Sequence, residues 1–276
     1  MIFETHEAKP PFDGLVESIF YFKNFEPDHS IERVVPTGHV FVIFELDGIK
    51  RQTFDNETLK PLASYRKAWV SGMHQNHISI SAHQQSEMFV IQFKAFGAHP
   101  FLHVPMEHLA NKIVPGADIL DGDLLELREE LSAAASSAEK FSITDSWIES
   151  RYEEKYLAPK SIVAMVALLQ AQPASKFNEI IESYTGTHKH LISQFKKFIG
   201  LTPKHYQRIL RFNEVFVQMQ KDQFLSWSDI AFQCGYSDQS HFIREFKHFS
   251  GFNPEKFLKF DFQDDPDNFF PLDRDG

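Results

Sequence analysis

One segment of this chain occurs twice. HLISQFKKFIGLTPKHY (190–206) aligns with HFIREFKHFSGFNPEKF (241–257) at a fixed offset of 51, and 7 of the 17 positions are identical. The shared residues are His190/His241, Ile192/Ile243, Phe195/Phe246, Lys196/Lys247, Phe198/Phe249, Gly200/Gly251 and Pro203/Pro254. Upstream, Ile180-Ile181 pairs with Ile230-Ala231 at an offset of 50, so the second copy is one residue longer in its turn. Two helices joined by a tight turn, used twice, make two helix-turn-helix units. A duplicated unit requires a framework that holds both copies at a defined separation.

Local signals delimit these helices. Thr187 is placed to cap a helix that runs to Ile199 and ends at Gly200. Thr202-Pro203 supplies a cap and a first-turn proline for a helix to about Gln220. Ser226 and Asp229 have capping-box spacing for a helix through Gln233. Ser237-Asp238 opens another, ending at Gly251, and Asn253-Pro254 opens the last. In the first repeated helix Leu191, Phe195 and Phe198 share one face; in the second Phe242, Phe246 and Phe249 do. The opposite faces carry hydrogen-bond donors suited to base edges and phosphates in a DNA major groove. His188, Lys189, Ser193, Gln239, Ser240 and Arg244 are the candidate base-contacting residues. Thr187, Lys196, Lys197, Ser237, Lys247 and His248 are the candidate phosphate contacts. The helix between the units is about 27 Å long at about 1.5 Å per residue, a rod suited to two reading helices about 34 Å apart.

Charge supports this division. The whole chain of 276 residues carries a formal net charge of −10. Residues 158–260 hold 13 basic and 8 acidic residues, a net +5, between acidic segments of net −10 (1–157) and −5 (261–276). A basic module between acidic ones implies different partners for different parts.

The N-terminal half reads as β-rich. LVESIFYF (15–22) and HISISAH (77–83) alternate, whereas VFVIFEL (40–46) and MFVIQFK (88–94) are nearly continuous apolar runs, the pattern of strands buried on both faces. Turn signals at Pro36-Thr37-Gly38, Asp47-Gly48, Asp55-Asn56 and Ser71-Gly72 separate them. Leu124, Leu127 and Leu131 mark a helix over Asp123–Ala135, a further helix is expected over Ser142–Tyr156, and Pro159 marks the boundary of the next domain. Ile162–Gln170 and Phe177–Tyr184 read as the first helices of that domain. The 29 Phe residues require sizeable cores or an apolar pocket. The single cysteine, Cys234, cannot form an internal disulfide and reads as a small buried residue.

Several functions are disfavoured. No Gly-rich phosphate loop, G-x-S-x-G or H-E-x-x-H motif is present. His74, His77 and His83 cluster, but His-x-x-His on a strand sends the two rings to opposite faces, so no metal or other cofactor is expected. The longest apolar run, 162–169, is too short to span a membrane, and the first residues show no secretory signal; a cytoplasmic location is expected.

Residues 160–260 resemble the DNA-binding domain of the AraC/XylS family of bacterial transcription regulators. DIAFQCGYSDQSHFIREFKHFSGFNPEKF (229–257) carries the resemblance: Ile-Ala, then Gly-Tyr-Ser, Ser-x-Phe, Phe-Lys and Gly-x-x-Pro in order. The first unit departs from the pattern, with Ser193 where relatives often have Arg. RVVPTGHVFVIFELDG (33–48) and WVSG (69–72) resemble, less closely, the cupin-like sensor domains often joined to this module. The resemblance implies a non-enzymatic α+β protein. Residues 1–157 would be a cupin-like β-barrel with helical additions, residues 158–260 an all-α domain of two helix-turn-helix units, and residues 261–276 an acidic tail. Its expected partners are double-stranded DNA, a small-molecule effector, a second copy of the chain and, for an activator, RNA polymerase. A metal-dependent cupin-type enzyme and a protein-interaction module without DNA binding are the alternatives. The tail, DFQDDPDNFFPLDRDG, reads either as a disordered solubilising end or as a brake. As a brake it would fold back, its Asp residues against lysines and Phe269, Phe270 and Leu272 in an apolar groove.

Overall fold

The structure is a computed structural model that describes residues 1–221, 226–257 and 268–273. The N-terminal half forms β1 (Ile2–His6), β2 (Val16–Phe25), β3 (Ile31–Val34), β4 (Val40–Glu45) and β5 (Arg51–Phe54). It continues with β6 (Pro61–Tyr65), β7 (Ala68–Ser71), β8 (Ile78–Ser81), β9 (Ser86–Phe93) and β10 (Ile113–Pro115). A last strand, β11 (Phe269–Pro271), comes from the C-terminal tail. Two antiparallel sheets result, β1-β2-β9-β4-β7-β10 and β11-β3-β8-β5-β6. The expected α+β class is present, but the expected barrel is not closed: among the described residues no strand pair joins the two ladders.

The runs read as doubly buried strands occupy the middle of the larger sheet. Ile43, Trp69 and Val90 face the smaller sheet, where they pack with Ile80. Val42, Phe44, Phe89 and Ile91 belong instead to the main core, which continues into the helices. Those helices are α1 (His99–Leu102), α2 (Asp123–Ala133) and α3 (Ser137–Arg151). Leu124, Leu127 and Leu131 are buried, as their spacing requires. The helix expected over Ser142–Tyr156 is displaced: α3 begins at Ser137 because Ser136 caps it, accepting from the Glu139 amide at 3.2 Å. Residues 154–156 form only a single 3-10 turn.

The C-terminal half is helical: α4 (Lys160–Ala171), α5 (Phe177–Ile181), α6 (His188–Ile199), α7 (Pro203–Lys221), α8 (Trp227–Gln233), α9 (Gln239–Ser250) and α10 (Pro254–Phe257). Both halves share one continuous core. Among the described residues no helix is long and apolar enough to cross a membrane. The disordered reading of the tail fails for residues 268–273, which are held against β3 with Phe269–Pro271 as a strand; the tail's Asp261, Asp264, Asp265, Asp267 and Asp275 lie outside the described residues.

Candidate nucleic-acid interface

Each repeated helix is fixed at its start by the cap its sequence supplies. The Thr187 hydroxyl accepts from the His190 amide at 3.2 Å, and the Asp238 carboxylate accepts from the His241 amide at 2.8 Å. Ser226 and Asp229 form both halves of the capping box on α8. Gly200 (φ +92°) and Gly251 (φ +74°) end α6 and α9 in the left-handed region, as helix-terminating glycines do.

The buried faces are those expected. Leu191, Phe195 and Phe198 are buried in α6, and Phe242, Phe246 and Phe249 in α9. Phe246 sits within ring contact of Phe212, Trp227, Phe242 and Phe257 at 5.3–5.8 Å. Twelve side chains were singled out from the sequence, and all are exposed. Thr187, His188, Lys189, Ser193, Lys196 and Lys197 lie along α6; Ser237, Gln239, Ser240, Arg244, Lys247 and His248 lie along α9. They are not equally available. The Ser237 hydroxyl is engaged with Asp238 (3.0 Å) and His241 (3.1 Å) at the cap. The Lys197 ammonium lies 5.1 Å over the Phe198 ring. Arg244, Lys189, Lys196 and Lys247 form no ion pair among the described residues.

Sequence reasoning missed the groups that aim these helices. Arg208 of α7 donates to both carboxylate oxygens of Glu245 at 2.7 and 2.8 Å, bracing α9 one residue from Arg244. Burial alone would raise the Glu245 carboxyl, but Arg208's hydrogen bonds and charge outweigh it and hold the pKa low. Buried Gln207 donates to the Pro173 and Ser175 carbonyls at 3.2 and 2.8 Å, anchoring the segment before α5. A cationic and an anionic residue 37 positions apart leave no periodic trace in a sequence.

The β-rich half grips the far ends of both reading helices. At α6, the His99 ring meets Phe198 edge-on at 5.3 Å, and a Cβ on Gly200 would fall 2.9 Å from the Met106 carbonyl oxygen. At α9, Arg33 Nη1 donates to the Gly251 carbonyl at 3.0 Å, while its guanidinium lies 4.8 Å over Phe252. His77 Nδ1 donates to the His248 carbonyl at 3.3 Å. Burial, assisted by the Arg33 charge, pushes the His77 pKa down to about 4. The other two clustered histidines go elsewhere: His74 meets the Ser71 hydroxyl at 3.2 Å and His83 the Ser81 hydroxyl at 2.8 Å. Cys234 is fully buried in the turn of the second unit, where burial pushes its thiol up to about 12.

Comparison with known proteins agrees with this geometry. Residues 185–259 match a family described as a helix-turn-helix domain. Residues 4–115 match a domain of unknown function, DUF6597. No curated protein matches the chain. Among solved structures, ToxT from Vibrio cholerae is 13% identical, with 94% of this chain and 98% of that one covered at a TM-score of 0.46. Unsaturated fatty acid bound wild-type ToxT is 13% identical, covering 93% and 94% at a TM-score of 0.44. The overlap is too loose to carry a ligand from those proteins to this one.

Proposed function

We propose that the chain is a DNA-binding transcription regulator of the AraC type and that α6 and α9 read DNA sequence jointly, a reading supported by the helix-turn-helix family matched over residues 185–259. The supporting observation is the repeated unit itself. Two N-capped helices each bury a phenylalanine ladder and present an exposed polar face with unpaired cations. Arg244 and Gln239 read bases in the second unit; the bidentate partners of Arg and Gln are guanine and adenine. His188, Lys189 and Ser193 do so in the first, with Ser240 beside Gln239. Lys196 and Lys247, at equivalent positions, hold phosphates together with Thr187, Lys197, Ser237 and His248. In this reading residues 1–157 form the sensor domain and 158–260 the DNA-binding domain.

Control by a small effector belongs to the same proposal. Phe44, Phe89, Val42 and Ile91 fill the space between sheet and helices, so the entry we assign is a cleft at its rim. The cleft measures about 400 Å³ and is lined by Tyr21, Lys23, Glu87 and Lys140, which suits a small polar molecule. A homodimer, and RNA polymerase as partner of an activating form, complete the reading.

Selection of bound sequences from random duplex DNA, with and without cell extract, tests it. A motif of two half-sites about one helical turn apart is expected, bound less tightly as salt rises. Absence of enrichment, or binding indifferent to salt, would overturn the assignment.

A further inference from the structure

The C-terminal strand crosses from the helical domain into the smaller sheet. β11 runs antiparallel to β3, with Phe269, Phe270 and Pro271 opposite Val34, Arg33 and Glu32. The pairing extends past both ends of the strand. The Val35 amide donates to the Asn268 carbonyl and the Leu272 amide to the Ile31 carbonyl, both at 2.9 Å. Asp273 then closes the end of β3, accepting from the Ser30 amide at 3.0 Å, the Ile31 amide at 2.9 Å and the Ser30 hydroxyl. A carboxylate on three donors is held firmly, and its pKa is lowered.

Phe270 joins this strand to the second helix-turn-helix unit. It is 3% exposed and stacks on Phe216 of α7 at 5.7 Å. It also meets Phe252 and Phe257 edge-on at 6.2 and 5.1 Å. Its cross-strand neighbour is Arg33, the residue that holds the Gly251 carbonyl and lies over Phe252. Residues directly opposite in an antiparallel pair share one face of the sheet. Arg33, Phe252 and Phe270 therefore form one joint between β3 and the rear of α9.

We propose that β11 is a strap that locks the second helix-turn-helix unit to the sensor sheet, so that this unit reads DNA from a position set by the sensor domain. The inference rests on the DNA-binding reading above. With the strap seated, the first unit is docked at Met106 and His99 and the second at Arg33 and His77. Both are then presented together, and the second contact follows the first at high effective concentration. With the strap released, β3 becomes an unpaired edge and the second unit loses its apolar anchor.

Two single variants of the full chain test this, Phe270→Ala and Asp273→Ala, with Asp273→Asn as the conservative partner. Asp273 is exposed, so its replacement leaves both cores intact. Hydrogen exchange is read first, without DNA. The Ser30, Ile31 and Val35 amides should exchange faster in both alanine variants while β4 and β9 amides stay protected, and Asp273→Asn should restore part of the protection. Binding is then compared on the selected two-half-site duplex and on the same duplex with the second half-site scrambled. The preference for the intact duplex should fall about tenfold in the alanine variants. Unchanged exchange at the three amides overturns the strap whatever the DNA results. Faster exchange with an unchanged or increased preference for the intact duplex overturns its role in reading. A chain that selects no DNA motif overturns the parent reading instead, and the exchange arm remains decisive for the strap.

Discussion

The two helix-turn-helix units share a sequence pattern but not a mode of support. In the first, the buried face of α6 has Tyr206 as ring partner of Phe195 at 6.4 Å, and its end abuts the Met106 backbone. In the second, Phe246 is the centre of an aromatic cluster, and the end of α9 is held by hydrogen bonds from Arg33 and His77 and by the β11 strand. Duplication fixes the shape of a unit; what surrounds each copy fixes how firmly it is placed. The first unit rests on the Met106 backbone and on the edge of the His99 ring. The second rests on side chains, which can exchange partners, and is the copy suited to carry a signal from the sensor domain.

The largest expected effect comes from the cluster itself. Phe246→Ala should cost about 3–5 kcal/mol, and Phe195→Ala less, because fewer rings lose contact. Denaturant unfolding of the two variants checks the order, and equal losses would dissolve the contrast. The capping glycines come next. Alanine at either position is strained in the left-handed region by about 1–2 kcal/mol. Gly200→Ala adds a clash with the Met106 carbonyl oxygen at 2.9 Å, whereas Gly251→Ala meets side chains, the Arg33 guanidinium at 2.7 Å and the His77 ring at 2.8 Å, which shift more readily than backbone. Gly200→Ala should therefore lower the melting temperature more, and Gly251→Ala should instead release the Arg33 contact, visible as faster exchange of amides in β3.

The contrast should also appear on DNA. Arg244→Ala is expected to lose about 1–3 kcal/mol on the selected site and relax one base position. Ser193→Ala, at the equivalent position of α6, should change little. Lys247→Ala should weaken all sequences alike and lower the salt slope by about 1. Competition binding on matched and mismatched duplexes at several salt concentrations separates these outcomes.

The smallest effect is a pH dependence to which the second unit's joint contributes through His77. His77 stays neutral in the fold, with a pKa of about 4, while the unfolded chain takes up that proton near pH 6.5. Its contribution is complete above about pH 6.5 and declines as pH falls toward 4. His74, also pushed down to about 4 by burial, adds to the same slope. Thermal unfolding between pH 7 and 5 should show a flatter slope for His77→Gln than for the parent chain.

Features decided by neighbours in sequence were legible; features decided by distant partners were not. Thr187, Gly200, the Ser226–Asp229 box, Asp238 and Gly251 act on residues within a turn of themselves, and each stands where the sequence placed it. The apolar runs of β4 and β9 announced burial on two faces. The exposed strands β1 and β6 carry no such pattern and owe their existence to pairing with β2 and β5. The faces of α6 and α9 were readable, but the braces behind them, Arg208–Glu245 and Arg33–Gly251, join residues 37 and 218 positions apart. The tail shows both cases. Phe270 does pack among rings of the helical domain, yet Asp273 caps Ser30 and Ile31 rather than meeting the lysines expected of it.

The pairing of β11 with β3 also orders events during synthesis. β3 is complete early, but its outer partner lies more than 230 residues downstream. Because chains emerge N-terminus first at about 5–20 residues per second, the edge of β3 waits for tens of seconds while the helical domain is made. Throughout that interval its free amides and carbonyls can template a foreign strand. The joint between sensor and second unit is thus among the last to form, and a nascent chain passes through a stage in which the helical domain is not yet fastened to its sensor.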